Sequence, residues 1–287
     1  MKVKFGCQLP QENNDFEHLV AVAKECENLG YDSVWAYDHL SPFWIQSGSS
    51  LECWTVLAGV AERTSKIRIG SLVTNANLRN PALLAKMSST VDNISDGRLI
   101  LGLGTGDSLS RRELLSSGFR FSDLEERVGR LKETILILKA MWSEDESFFQ
   151  GKYHSLAGAV NYPKPRQKPH PPLWIGGKHS RILDLVAEMA DGWNYWRLSK
   201  KELKQRNQYL SLRCSELNRP RYEIVKSWSG ALQRLPHRDE DLTQILRNSI
   251  QQLKNETDAE TTYFIASFGA RAPPKSYEIF ADVVRNL

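Results

Sequence analysis

Leu99-Ile100-Leu101-Gly102-Leu103-Gly104-Thr105-Gly106-Asp107 is an apolar strand that runs into alternating glycines and ends on a carboxylate. The strand is too apolar to be exposed. Its glycines strip side chains from the point where the chain leaves the core, so a flat ligand can approach the backbone closely. Asp107 falls at the carboxyl end, where α/β folds place their chemistry.

Outward from this stretch, short β-branched or aromatic runs alternate with amphipathic helical segments. The strand candidates are 3–9, 33–37, 67–73, 98–103, 173–175, 193–196, 223–229 and 262–267. Between them lie stripes with the 3.6-residue period. One joins Phe16, Leu19, Val20 and Ala23, and a second joins Leu83, Leu84, Met87, Val91 and Ile94. A third joins Val128, Leu131, Ile135 and Leu138, and a late one joins Leu242, Ile245, Leu246, Ile250 and Leu253. Asn80-Pro81 supplies an N-cap and a first-turn proline. Ser122 with Glu125, and Ser199 with Glu202, have capping-box spacing. Gly30, Gly97 and Gly192 are read as ending helices just before the next strand. Strict strand–helix alternation implies a parallel sheet, either open and doubly wound or closed. About eight strands in this length favour a single (β/α)8 TIM barrel over residues 1–287. The 143–172 connection is long and rich in proline and lysine, and 148–154 within it is read as a small hairpin.

Bulk properties bound the function. The chain has 287 residues, 25% of them charged, and a formal net charge of +4. Lys and Arg are spread along it, which argues against a nucleic-acid partner. Cys7, Cys26, Cys53 and Cys214 lie far apart without a C-x-x-C pair, so neither a disulfide framework nor a zinc cluster is expected. The amino terminus enters a strand directly without a signal peptide's apolar core. No apolar run approaches the ~20 residues of a membrane span. These features point to a cytoplasmic protein. No H-E-x-x-H or Cys/His cluster suggests a metal, and no G-x-S-x-G turn suggests a nucleophilic serine.

At the strand ends, Asp38-His39 sets a carboxylate beside an imidazole. The pair is suited to proton exchange near neutral pH; alternatively Asp38 caps a turn and His39 packs. Asp107 is expected to face His39 across the barrel mouth as a second acid, though a Gly-Asp turn also uses its Asp to bond the following backbone. Gly176-Gly177 with Lys178, leading into a helix near Ser180, reads as a phosphate cradle or as a plain turn needing small residues. Gly102-x-Gly104-x-Gly106 lacks the spacing of a dinucleotide fingerprint. Trp35, Trp174, Trp193, Trp196 and Trp228 near the strand ends either wall a planar ring or pack the core.

Four segments carry a family resemblance: Tyr37-Asp38-His39; 70–75 with Arg79-Asn80-Pro81; the Gly102 to Asp107 turn; and 169–177. Over nearly its whole length the chain resembles the bacterial luciferase-like superfamily, and within it the branch using the deazaflavin coenzyme F420. That branch holds methylene-tetrahydromethanopterin reductases, secondary alcohol dehydrogenases and glucose-6-phosphate dehydrogenases. The resemblance implies hydride transfer between F420 and a small alcohol, sugar phosphate or pterin. His39 would exchange the substrate proton, Asp107 would be a second acid, and Trp44 would shield developing charge. Asp38, a cis peptide at Leu72–Val73, Thr74, Asn75, Gly104, Thr105 and Gly106 would surround the coenzyme ring. Gly176, Gly177 and Lys178 would take its phosphate, with Arg271 a substitute for basic partners that relatives draw from a longer carboxyl-terminal third. The branch assignment rests on Asp107, where many flavin monooxygenases of the superfamily carry tryptophan. The rival implications are an FMN-dependent monooxygenase fed by a partner flavin reductase, and a flavin-binding protein without catalysis. The resemblance also implies a homodimer built through early helices. Substrate choice is expected to lie in loops 41–50 and 143–172.

Overall fold

The computed structural model describes residues 3–42, 47–231, 239–270 and 272–285. In chain order the elements are β1 (Lys4–Gln8), α1 (Phe16–Asn28), β2 (Ser33–Ala36), α2 (Cys53–Arg63), β3 (Arg68–Ser71), β4 (Thr74–Asn75), α3 (Pro81–Ile94) and β5 (Leu99–Gly104). There follow α4 (Arg111–Ser116), α5 (Leu124–Ser143), β6 (Ser147–Gln150), β7 (Ser155–Ala159), β8 (Leu173–Gly176), α6 (Ser180–Met189) and β9 (Gly192–Tyr195). The last are α7 (Lys200–Glu216), β10 (Val225–Ala231), α8 (Asp239–Glu256), β11 (Tyr263–Ser267) and α9 (Lys275–Arg285).

The parallel ladders run β3-β2-β1-β11-β10-β9-β8-β5, and β3 pairs with β5, so the sheet closes on itself. This is the (β/α)8 barrel expected from the alternation together with the strand count. The third barrel strand is broken by a cis Leu72–Val73 peptide. It resumes as β4, which pairs Thr74 with Leu103 and Asn75 with Gly104.

Side-chain alternation sorts the strands into two cores. Leu99, Leu101, Leu103, Val34, Ala36, Trp193 and Tyr195 join the layer between sheet and helices. Trp35, Ile100, Trp174, Tyr263 and Ile265 fill the barrel interior. There the indoles of Trp35 and Trp174 lie 5.1 Å apart, with Tyr263 edge-on to both. Glycines make room for them: a Cβ at Gly70 would come within 2.4 Å of Trp35, and one at Gly192 within 2.5 Å of Trp174. Gly192 is therefore a buried strand residue under an indole, not the helix terminator expected; α6 is capped at Ala190. Gly30 and Gly97 do follow their helices, each with positive φ.

Other local expectations divide in the same way. Asn80 caps α3 by accepting from Ala82 N–H, and Ser199 with Glu202 forms a full capping box on α7. Helix α5 is capped by Asp123, which accepts from Glu126 N–H, rather than by Ser122. Of the stripe expected on α3, Leu84 and Val91 are buried and Met87 packs against the core, whereas Leu83 and Ile94 are exposed. Its buried face also carries Ser88, Ser89 and Asp92. Trp142 Nε1 donates to Ser88, Asn161 donates to Ser89, and Gln167 donates twice to Asp92. Burial of these polar groups is tolerated because each is paired. In α8, Ile250 and Leu253 are buried, whereas the side chains of Leu242, Ile245 and Leu246 lie outside the described residues. Strands β6 and β7 form the antiparallel hairpin expected around 148–154. Its turn hangs on Glu133, which accepts from the N–H groups of Lys152, Tyr153 and His154. Among the described residues no helix is long and apolar enough to cross a membrane.

Candidate active site

Above the tryptophan plug, the inward positions become small or polar: Gln8, Gly104, Gly176, Asn194 and Ser229. A cavity of about 640 Å³ opens there at the carboxyl ends of the strands. That volume suits a cofactor-sized ligand. Residues expected at the site that line it are Asp38, His39, Leu72, Val73, Asn75, Gly104, Thr105, Gly106, Asp107, Gly176, Gly177 and Lys178. Thr74 does not line it; its buried hydroxyl accepts from Trp54 Nε1 at 3.2 Å. Trp44 and Arg271 lie outside the described residues.

The floor is built around Val73. A Cβ at Gly104 would come to 2.6 Å from Val73 Cγ2, and one at Gly176 to 3.0 Å. The two glycines therefore exist to admit the valine, which stands as a raised apolar support between β5 and β8. A Cβ at Gly102 would come to 2.1 Å from the Ser71 carbonyl oxygen. The close seam of β3 and β5 depends on that missing atom. Asn194 and Ser229 add a polar edge, with Ser229 Oγ donating to Asn194 Oδ1 at 3.0 Å.

Asp38 is buried and committed to protein partners. It accepts from Arg79 at 2.6 and 2.9 Å and from Asn75 N–H at 2.9 Å. Arg79 also donates to Glu52, the cap of α2. Burial disfavours the Arg79 charge, but Asp38 and Glu52 outweigh that and hold the guanidinium protonated. Asp38 is thus the tie that fixes the backbone of Asn75 at the cavity wall.

His39 receives a different carboxylate from the one expected. Its Nδ1 lies 2.6 Å from Glu113 Oε1, a pair with side chains 19% and 9% exposed. Glu113 Oε2 accepts from Leu40 N–H, Ser41 N–H and Ser41 Oγ. Burial pushes the Glu113 carboxyl up, but hydrogen bonding and charge from His39, with the two amides, hold it below the ordinary glutamate range. Asp107 lines the cavity, yet its Oδ1 accepts from Leu109 N–H, Ser110 N–H and Ser110 Oγ. That is the turn-capping alternative weighed for a Gly-Asp pair. Tyr37 stacks obliquely 5.6 Å from His39 and donates to Glu12 at 3.3 Å. Burial pushes its phenol up, Ser50 opposes, and Glu12 and Glu113 add to the rise.

The opposite wall is cationic. Lys178 and His179 stand at the start of α6, where His179 Nδ1 caps by accepting from Arg181 N–H. The Gly177 N–H is already spent on Asn194 O at 3.1 Å, so the cradle read from the two glycines is narrower than expected. Arg197, with φ of 47°, lies 4.5 Å over the ring of Trp196, and both line the cavity. Of the five tryptophans singled out, only Trp196 lines it; Trp35 and Trp174 plug the barrel, and Trp193 and Trp228 pack toward the helices. No residue of 143–172 lines the cavity. That connection instead reaches the amino end of β5, where Gln167 donates to Leu99 O.

Fold and site together define a (β/α)8-barrel protein with an open cavity at the strand carboxyl ends, floored by Val73 and flanked by an imidazole–carboxylate pair. The chain belongs to the luciferase-like monooxygenase family, whose model matches residues 1–234. An F420-dependent glucose-6-phosphate dehydrogenase of Amycolatopsis mediterranei is 32% identical over 192 residues, which are 67% of this chain and 56% of that protein. The chain therefore spans little more than half the length of the curated relatives it matches. Among solved structures, an F420-dependent secondary alcohol dehydrogenase with an F420–acetone adduct superposes with a TM-score of 0.82 at 20% identity, covering 99% of this chain and 98% of the other. The monooxygenase RslO1 of Streptomyces bottropensis superposes with a TM-score of 0.77 at 17% identity, over 99% and 98% of the two chains. These structural likenesses establish the shared barrel.

Proposed function

We propose that this chain is an oxidoreductase that uses coenzyme F420 to move a hydride to or from a small substrate carrying a hydroxyl or carbonyl carbon. The observation that carries the reading is the placement of His39, with its own carboxylate, beside the Val73 floor in one cavity. The F420-dependent relative supports the choice of coenzyme.

The residues present fit such a group. Val73, seated in the space that Gly104 and Gly176 leave, offers an apolar support for a ring, and Lys178 and Arg197 offer positive charge to an anionic end. When bound, F420 supplies a ring carbon that gives or takes a hydride as a two-electron unit. The protein's own task is to hold the substrate carbon near it and to manage the accompanying proton. In the oxidising direction the substrate C–H bond breaks with its electron pair leaving as hydride, the O–H bond breaks with its proton passing to His39, and the C–O bond becomes double. Asp107 caps the turn that presents Thr105 and Gly106 to the ring. We read the protein as cytoplasmic and homodimeric.

Titration with F420 and with FMN tests the coenzyme by absorbance and fluorescence quenching. Tight F420 binding with weak FMN binding is expected. Tight FMN binding alone overturns the reading in favour of a monooxygenase served by a reductase. His39→Ala is expected to lower turnover by about 10²–10⁴-fold, the usual worth of a positioned general base, while F420 affinity stays nearly constant. Equal loss of both makes His39 a binding residue.

A further inference from the structure

We propose that Glu113 is the positioning residue of the site: it sets which nitrogen of His39 is basic and latches the loop after β2 onto the short helix after β5. The inference rests on the reading of His39 as the proton acceptor.

The geometry begins with a carboxylate satisfied on all sides. An ionised carboxylate offers about four acceptor directions. Glu113 meets four donors, His39 Nδ1 at 2.6 Å, Leu40 N–H at 3.0 Å, and Ser41 N–H and Oγ at 3.2 Å each. Every one of them lies 72 to 74 residues away in sequence. The pair is shielded, so its hydrogen bond is worth more than a surface ion pair. Glu113 accepts only, so a neutral His39 must place its proton on Nδ1. The lone pair that takes up a substrate proton is then on Nε2. When the proton arrives, the imidazolium forms against a carboxylate already in place. A buried carboxylate on the far nitrogen of a catalytic imidazole does the same in other enzymes, where its amide replacement leaves the wrong tautomer.

Glu113→Gln gives a sharp test, because three loop donors compete for its single oxygen. The amide must turn its NH₂ toward His39, whose Nδ1 then accepts, and the proton moves to Nε2. The imidazole nitrogens are read by ¹⁵N NMR on histidine-labelled protein without coenzyme, with His39→Gln identifying the signal. The expected wild-type pattern in the neutral ring is a proton on Nδ1 and none on Nε2, inverted in Glu113→Gln. With F420 and isopropanol or glucose 6-phosphate as the hydride donor, kcat of Glu113→Gln should fall by about 10²-fold or more. The dissociation constant for F420 should stay within about twofold, a change below 0.5 kcal/mol. Glu113→Asp, which keeps an acceptor-only group, should restore part of the loss and the wild-type tautomer. A wild-type His39 protonated on Nε2, or a Glu113→Gln protein with unchanged tautomer, overturns the inference. The wild-type spectrum decides even if the variant fails to fold. Failure to bind F420 removes the functional reading while leaving the tautomer measurement intact.

Discussion

Asp107 and Glu113 show how two acids six residues apart divide the work. Asp107 sits on the glycine turn and spends Oδ1 on the amides and hydroxyl that start α4. Asparagine caps about as well as aspartate, and alanine does not. Asp107→Asn is therefore expected to keep both turnover and thermal stability nearly unchanged, whereas Asp107→Ala should cost about 1 kcal/mol of stability. Urea unfolding and steady-state rates check this together. A turnover loss as large in Asp107→Asn as in Asp107→Ala would return Asp107 to the role of second acid. The sequence made Asp107 conspicuous, because a carboxylate after alternating glycines stands out. Glu113 follows Arg111 and Arg112 in a polar run that reads as a solvated helix face. Its partner lies 74 residues away, so no local signal pointed to it.

At the scale of elements, the seam between β3, β4 and β5 carries the site. Gly102 and Gly104 belong to the same strand and the same apolar run, yet their missing side chains serve different neighbours. At Gly102 the obstacle is backbone, the Ser71 carbonyl at 2.1 Å, and Ser71 Oγ is bonded to both the N–H and C=O of Gly102. Nothing there can rotate aside, so Gly102→Ala is expected to cost about 3 kcal/mol, the upper end for overpacking. At Gly104 the obstacle is the Val73 side chain at 2.6 Å, which faces the cavity. Gly104→Ala should cost only about 1–2 kcal/mol. It should weaken F420 binding by about tenfold, because the displaced valine is the floor. Denaturation and coenzyme titration on the two variants separate strand closure from the ligand seat. The sequence disclosed the glycines but not which neighbour each one admits. Period-based reading placed Leu84, Met87 and Val91 of α3 on the core side but missed its edges for a related reason. Its inner face uses paired serines and an aspartate where hydropathy sought Leu83 and Ile94.

For the whole molecule, the parallel sheet was legible because strand–helix alternation is dictated by local patterns that repeat along the chain, and closure because about eight such units fit this length. The ties between distant segments were not, since each depends on a single carboxylate reaching backbone or a basic side chain far away in sequence. Glu27 accepts from the N–H groups of Ser65, Lys66 and Ile67 between α2 and β3. Glu52 caps α2 and meets Arg79, Glu113 ties the loop after β2 to α4, and Asp258 holds the buried Lys226 at 2.6 Å. Burial pushes all four carboxyls up, but amides, hydroxyls and cations outweigh it and hold each below its ordinary range. A carboxyl depressed in the folded state binds protons more readily when unfolded. Its contribution is therefore present above the unfolded value, about 4.3 for glutamate and 3.9 for aspartate. It fades as pH falls from there toward the folded values. Urea midpoints should thus be steady from pH 7 to 5 and drop steeply below about pH 4. The combined loss should be on the order of 2–4 kcal/mol once the solvent-exposed members are discounted. Glu27→Gln should lower the midpoint at pH 7 and flatten the acid limb, because the group that titrates is gone. A variant equally sensitive to acid would show that the loss arises elsewhere, in general charge repulsion, which added salt would relieve.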